Sequence, residues 1–120
     1  MTSLEMKQSK LYINGAWVDS ESGGRLDVIN PATEEPLATI SYGGASEARS
    51  ALEAAHAALP VWKQTNVYER ALKLKKLADL IRENVDYLAV AMTMEQGKPL
   101  AESKGEVMVS AATCEWDAEE

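Results

Sequence analysis

The sequence has few of the residues that build disulfide frameworks, metal centres and membrane spans. It contains one cysteine, Cys114, and one histidine, His56, among 120 residues. A single cysteine excludes an internal disulfide framework and agrees with a reducing cytosol. No apolar run approaches the about 18 residues of a membrane span, and the polar N-terminus lacks the apolar core of a signal peptide. We therefore expect a cytoplasmic protein that makes no use of a membrane.

The residue patterns of phosphate, metal and nucleic-acid sites are also missing. Gly43-Gly44 precedes a predicted helix, but neither a dinucleotide nor a P-loop glycine pattern follows, so a plain turn is favoured. His56 has no second ligand at metal-binding spacing. Residues 60–82 hold six basic residues against two acidic ones, yet the net charge of −7 and the lack of interleaved aromatic residues argue against nucleic acid.

The first third of the chain predicts two β-hairpins over residues 10–42. Asn14-Gly15 lies between two short runs of strand-forming residues, and this dipeptide tolerates the positive φ angles of a type I′ turn. A second pair of extended runs is predicted at residues 25–30 and 36–42. The turn at Pro31 separates them, because proline restricts the residue before it and has no N–H for a ladder.

Residues 45–120 predict about four helices. The first runs from an N-cap at Ser46 to Leu59, where Pro60 breaks it. In the second, Asn66 is the N-cap and Glu69 can reach back to the N–H of Asn66 in a capping box. Its apolar stripe recurs at steps of three and four, and consists of Val67, Ala71, Leu74, Ala78 and Ile81.

The last two helices are predicted around a clear stop signal. The third runs from Val85 to Gln96 and ends at Gly97, which suits the C′ position, with Pro99 preventing continuation. The fourth begins at Leu100 and runs towards Glu120. No stop signal follows, and acidic residues stand at the negative pole of the helix dipole. The pattern is that of a helix cut before its natural end.

Several stretches together resemble one family. They are residues 11–19 (LYINGAWVD), 28–33 (VINPAT), 69–70 (ER) and 95–102 (EQGKPLAE). In this order and spacing they are similar to the opening segment of an aldehyde dehydrogenase. Three further stretches, 104–106 (KGE), 115–116 (EW) and 118–120 (AEE), resemble the succinate-semialdehyde dehydrogenase branch. Glu34 stands where the family has a turn glycine, and Asp117 where it has an aromatic residue.

The resemblance implies an NAD(P)-dependent enzyme of roughly four times this length, with an α/β (Rossmann-type) cofactor domain, a catalytic domain and an oligomerisation hairpin. A cysteine thiolate attacks the aldehyde, hydride passes to the nicotinamide, and a glutamate-activated water releases the acid. Residues 10–120 would then be an α+β fragment, the N-terminal part of the cofactor-binding domain. Residues 1–9 are expected to be a disordered lead-in.

The residues and the resemblance agree that the chain holds no catalytic, cofactor-binding or metal-ligating residue. Cys114 lies in an amphipathic helix where the family has a bulky apolar residue, so it is not read as the nucleophile. Lys98, in Gly97-Lys98-Pro99, is better explained by the helix stop than by contact with substrate or cofactor. We therefore expect no tight binding of NAD or NADP to this chain and no dehydrogenase activity from it alone.

Two kinds of partner are open for the apolar helix faces. One is the remainder of an aldehyde dehydrogenase chain. The other is a second copy of this chain, in which case the protein is a self-associating helical interaction module without catalysis.

Overall fold

The computed structural model describes residues 9–120, and it confirms two β-hairpins followed by four helices. The strands are β1 (Leu11–Ile13), β2 (Ala16–Val18), β3 (Arg25–Ile29) and β4 (Pro36–Ser41). The helices are α1 (Ala45–Gln64), α2 (Val67–Glu83), α3 (Val85–Gln96) and α4 (Leu100–Glu119). β1 pairs with β2 and β3 with β4, in two separate antiparallel sheets. The predicted disordered lead-in, residues 1–9, lies outside the described residues except for Ser9.

The first hairpin has the turn that its sequence predicts. Asn14 and Gly15 both have positive φ, 50° and 77°, as a type I′ turn requires at its two central residues. Tyr12 lies opposite Trp17 in the ladder, and their ring centroids are 4.8 Å apart. The turn therefore sets the register that brings the two rings together.

Helix α1 differs from its prediction at both ends. It continues through Pro60 to Gln64 instead of ending at Leu59. The φ of proline fits a helix, and proline removes only the hydrogen bond to the carbonyl of His56, which is exposed and open to water. At the other end the helix starts at Ala45, which makes Gly44 the N-cap and places Ser46 inside the first turn.

The described residues form two compact units. The strand–helix unit contains residues 9–29 and 34–64, and the helical unit contains residues 30–33 and 65–120. In the strand–helix unit, the N–H of Ser41 donates to the carbonyl of Ser9 at 2.8 Å, and the hydroxyl of Ser41 donates to Asp19 at 3.0 Å. These bonds join the chain just before β1 and just after β2 to strand β4.

The helical unit has a core of small residues. The buried apolar residues of the described chain all lie here: Ala78, Ala89, Val107 and Ala111. Ser103 is also fully buried, and its hydroxyl lies 2.8 Å from the hydroxyl of Thr93 on α3. Small side chains at these positions let α2 and α3 approach α4 closely, so little large apolar surface is enclosed.

The ends of the helices in the helical unit follow most of the sequence signals. The side chain of Asn66 accepts a hydrogen bond from the N–H of Tyr68, as an N-cap should. The predicted return bond from Glu69 is not among the hydrogen bonds of the described residues. Gly97 ends α3 with a φ of 78°; a Cβ at Gly97 would lie 2.9 Å from Cγ of Pro31. Glycine is therefore required here both for its φ and for space.

Candidate functional surface

Charged side chains hold α2 against α4. Arg82 on α2 donates two hydrogen bonds to the carboxylate of Glu115 on α4, at 2.8 and 2.5 Å. Lys75 pairs with Glu119 at 2.5 Å. The bidentate hydrogen bonding by Arg82 lowers the pKa of Glu115, and Glu115 in turn raises the pKa of Arg82. The later residue on α2 pairs with the earlier residue on α4, so these two helices run antiparallel.

Arg70, near the start of α2, differs from Arg82. Its Nε atom is buried, and no hydrogen-bond partner for it lies among the described residues. A buried donor without an acceptor lowers the stability of the fold, and such groups are rare in native proteins. Arg70 is thus a polar group whose surroundings in the described chain are incomplete.

Large apolar side chains are exposed on both units. In the helical unit they are Val67, Tyr68, Leu72, Leu77, Leu80, Leu100, Met108, Val109 and Trp116. In the strand–helix unit they are Tyr12, Trp17, Leu26, Ile29, Tyr42, Leu52, Leu59, Val61 and Trp62. Tyr68 is 77% exposed and Trp116 is 68% exposed. Scattered apolar residues are normal on a protein surface, but so many large ones beside so small a core make these faces candidates for contact with other polypeptide.

The strand–helix unit contains an acidic cleft of about 250 Å³. Glu47 lines this cleft, and its carboxylate accepts the N–H groups of Glu21 at 2.8 Å and Gly44 at 2.7 Å. These hydrogen bonds lower the pKa of Glu47. Asp19, at the rim, pairs with Lys10 at 2.9 Å; that bond, followed by the one from Ser41, lowers the pKa of Asp19. Both carboxylates are thus held in place by their own chain and close the capped start of α1.

The candidates weighed from the sequence lie on different elements. His56 is exposed on α1, and Cys114 is half-buried on α4. Lys98 pairs with Glu106 and so fastens the α3–α4 loop to α4. Gly44 gives its N–H to Glu47, whose charge would repel a phosphate at this helix end. In residues 9–120 no group of three or more potential ligands is arranged to hold a metal ion.

Two features of this surface were not predicted from the sequence. The ion pairs between α2 and α4 had a signal, since the basic residues cluster at 60–82 and the acidic ones at 101–120. The buried Nε of Arg70 had none, because the helical pattern places residue 70 beside the apolar stripe without showing which atoms are enclosed.

None of the helices in residues 9–120 combines the length and apolar character needed to cross a bilayer.

The sequence profile described as the aldehyde dehydrogenase family matches residues 17–120. The glutarate-semialdehyde dehydrogenase of Pseudomonas aeruginosa is 48% identical over 98% of this chain and 25% of its own length. The NADP(+) succinate-semialdehyde dehydrogenase of Escherichia coli is 47% identical over the same shares, 98% and 25%. The chain therefore spans about a quarter of the length of these curated relatives.

Solved structures give the same result for the fold. An aldehyde dehydrogenase from Brucella melitensis matches 100% of this chain and 26% of its own chain, with a TM-score of 0.94 and 39% identity. A betaine aldehyde dehydrogenase from Staphylococcus aureus, in complex with NAD+, matches 99% of this chain and 24% of its own, with a TM-score of 0.93 and 31% identity.

Proposed function

The chain belongs to the aldehyde dehydrogenase family and corresponds to its N-terminal portion; on that premise we propose that it serves as the N-terminal quarter of a semialdehyde dehydrogenase. The activity would be oxidation of an aldehyde bearing an acidic group to the carboxylic acid, with water consumed and NAD+ or NADP+ reduced. The relatives that act on glutarate and succinate semialdehyde support this substrate class. The choice between NAD+ and NADP+ stays open, because relatives of both kinds match.

The 120 residues would contribute packing and not chemistry. Cys114 is the single cysteine of the chain, and it is half-buried within helix α4. We infer that the reactive cysteine, the glutamate that activates water and the dinucleotide loop are supplied by polypeptide outside these residues. The chain alone would then neither oxidise aldehydes nor bind a nucleotide tightly. The assignment of residues 10–120 to a cofactor-binding domain, and a cytoplasmic location, stay predictions.

The observation that carries this proposal is the exposed apolar surface beside a small core. Side chains such as Tyr68, Trp116 and Leu52 are more than half exposed. The remainder of an aldehyde dehydrogenase chain is the occupant that fits, because the relatives carry about three times as much polypeptide again. Burying each such side chain stabilises the packed state by about 1.5–3 kcal/mol. This burial would hold the two parts of such a chain together.

A hybrid enzyme tests the proposal. Residues 1–120 are joined in frame to the part of the Escherichia coli relative that follows its matching segment. NADPH formation from succinate semialdehyde is then measured for the hybrid, for the intact relative and for the 120-residue chain. We expect activity from the hybrid and none from the chain alone. A folded hybrid without activity, or aldehyde-dependent NADPH formation by the chain alone, would contradict the proposal.

Self-association is the second candidate, and the same exposed side chains favour it. In this case the faces of α2 and α4 would be covered by a second copy. Sedimentation, together with the binding of a dye that fluoresces on exposed apolar surface, distinguishes the two functions. A self-associating module forms one defined oligomer and binds little dye. A portion of a larger chain stays monomeric or associates without a fixed size.

A further inference from the structure

We propose that Arg70 is a polar anchor for the polypeptide that covers α2, and that this polypeptide supplies an oxygen acceptor, a carboxylate or a main-chain carbonyl, to Nε of Arg70. The inference rests on the proposed function, since the occupant it names is the remainder of an aldehyde dehydrogenase chain. It adds which residue of the described surface that remainder must satisfy, and with what chemistry.

The state of the guanidinium group carries the proposal. Nε of Arg70 is shielded from solvent and makes no hydrogen bond within residues 9–120. An arginine is charged at every physiological pH, so it cannot relieve the cost of burial by losing its proton. Arg82, on the same helix, is an arginine that does have an acceptor, because its guanidinium donates two hydrogen bonds to Glu115.

The position of Arg70 on α2 shows where the acceptor must lie. Arg70 and Leu77 are seven residues apart and therefore lie on nearly the same line of the helix. Leu77 is half exposed, whereas Ala78 beside it is fully buried. Arg70 thus stands at the border between the packed face of α2 and its uncovered apolar face. Lys75, five residues further along α2, is already paired with Glu119, whereas Arg70 has no ion pair among the described residues.

The chemistry of the Arg70 side chain limits what can cover this part of α2. An apolar side chain alone would cover Leu77 but leave the Nε donor unpaired, at the full cost of its desolvation. An oxygen acceptor restores the hydrogen bond, and a carboxylate also balances the charge. The covering segment must therefore combine apolar side chains with one inward-facing oxygen.

The experiment compares the same substitutions in two settings. Arg70→Met and Arg70→Lys are made in the 120-residue chain and in the hybrid enzyme, with Lys73→Met as the matched control on the exposed side of α2. Urea unfolding followed by helical circular dichroism is measured for the chain. The temperature of half-inactivation is measured for the hybrid.

Opposite responses are expected in the two settings. In the chain alone, Arg70→Met leaves the urea midpoint unchanged or raises it, because it removes an unpaired buried donor. In the hybrid, Arg70→Met lowers the half-inactivation temperature by several degrees, and Arg70→Lys, which keeps the charge but loses Nε, recovers only part. Lys73→Met changes neither value.

The results that would contradict the Arg70 anchor differ from those that would contradict the proposed function. An active hybrid that tolerates Arg70→Met as well as Lys73→Met overturns the role of Arg70 and leaves the proposed function standing. A folded hybrid that is inactive with Arg70 intact overturns the proposed function and the anchor with it. Arg70→Met could prevent the hybrid from folding while Lys73→Met does not. In that case the half-inactivation temperature of the Arg70→Lys hybrid decides. A value below that of the unmodified hybrid supports the anchor, and an equal value overturns it.

Discussion

Glu34 has a backbone φ of 59°, in the turn that joins β3 to β4. Side chains other than glycine, asparagine and aspartate rarely occupy this left-handed region, because Cβ then crowds the following carbonyl. The resemblance noted from the sequence implies a glycine at this turn, where this chain has a glutamate. The backbone conformation persists because the flanking strands hold the turn in place.

Glu34→Gly is therefore expected to stabilise the strand–helix unit. Relief of the left-handed strain is worth about 1–2 kcal/mol, and the extra freedom of glycine in the unfolded chain takes back about half of this gain. Urea unfolding of the 120-residue chain, followed by tryptophan fluorescence, measures the change. Glu35→Gly is the matched control, since Glu35 is absent from the positive-φ residues and should lose stability. Equal effects of the two substitutions would show that φ is not the cause.

Ser103 shows how much one hydroxyl can matter in a core of small residues. It is fully buried, and the hydroxyl of Thr93, 2.8 Å away, is its hydrogen-bond partner. Removing one hydroxyl leaves the other without this hydrogen bond, whereas removing both leaves a matched apolar contact.

Ser103→Ala is expected to lower the free energy of unfolding of the helical unit by about 1 kcal/mol. Thr93→Val with Ser103→Ala should cost less than the sum of the single changes. Ser110→Ala is the control, because Ser110 is exposed on the same helix and bonds only to the carbonyl of Glu106. Strict additivity in urea unfolding would mean that the two hydroxyls do not interact.

At the scale of the elements, the outcome of sequence reasoning depended on how local the deciding interaction is. The turn at Asn14-Gly15 and the stop at Gly97 are set by backbone preferences within a few residues, and both predictions are confirmed. The predicted end of α1 was wrong, because Pro60 removes one hydrogen bond on an exposed turn and the helix continues past it to Gln64. The N-cap of α1 was also misplaced: Glu47 reaches Gly44, and Ser46 turns instead to Glu21.

The contacts at the surface between α2 and α4 join residues that are far apart in the sequence. Arg82 and Glu115 are 33 residues apart, and their pairing requires the crossing of α2 and α4, which no periodicity within one helix reveals. The opposite charge excess of the two segments was a signal for attraction between them, but neither the attraction nor the partners were predicted. The same holds for Thr93 and Ser103, whose contact needs the close approach of α3 and α4.

The Arg82–Glu115 pair is expected to make the helical unit sensitive to acid. The pKa of Glu115 is lower in the folded chain than in the unfolded chain, chiefly through the hydrogen bonds from Arg82. Its contribution to stability is therefore complete above the unfolded value of about 4.3 and is lost as pH falls through the folded value. Protonation of Glu115 leaves Arg82 with the more exposed Asp79, 3.5 Å away.

Glu115→Gln should thus lower the thermal midpoint of the helical unit at neutral pH, and its difference from the unsubstituted chain should shrink as the pH falls below about 4.3. Circular dichroism melts across the acid range measure this convergence. Asp117→Asn, one exposed carboxylate removed from the same helix, should leave the difference between neutral and acid midpoints nearly unchanged. A Glu115→Gln curve parallel to that of the unsubstituted chain at all pH values would contradict a role for this carboxylate.

At the scale of the whole molecule, each unit has a small or absent core and a large apolar surface. The helical unit buries alanines and one valine, while Val109 and Trp116 on α4 are about two-thirds exposed, at 65% and 68%. They are seven residues apart and so form one line along the helix. Within a larger aldehyde dehydrogenase chain this line would be covered, and in the 120 residues alone it faces water.

The same substitutions should therefore act in opposite directions in the two settings. Val109→Lys with Trp116→Lys is expected to reduce dye binding and association of the 120-residue chain, because it places charge on an exposed apolar line. In the hybrid enzyme the same pair should lower the half-inactivation temperature strongly, since it places two charges in a packed contact. Ser110→Lys with Thr113→Lys adds the same charge at exposed polar positions of α4 and should be tolerated in both. If the hybrid tolerates the Val109 and Trp116 changes equally well, this line of α4 does not dock against the rest of the chain, and the covered face must be sought on α2.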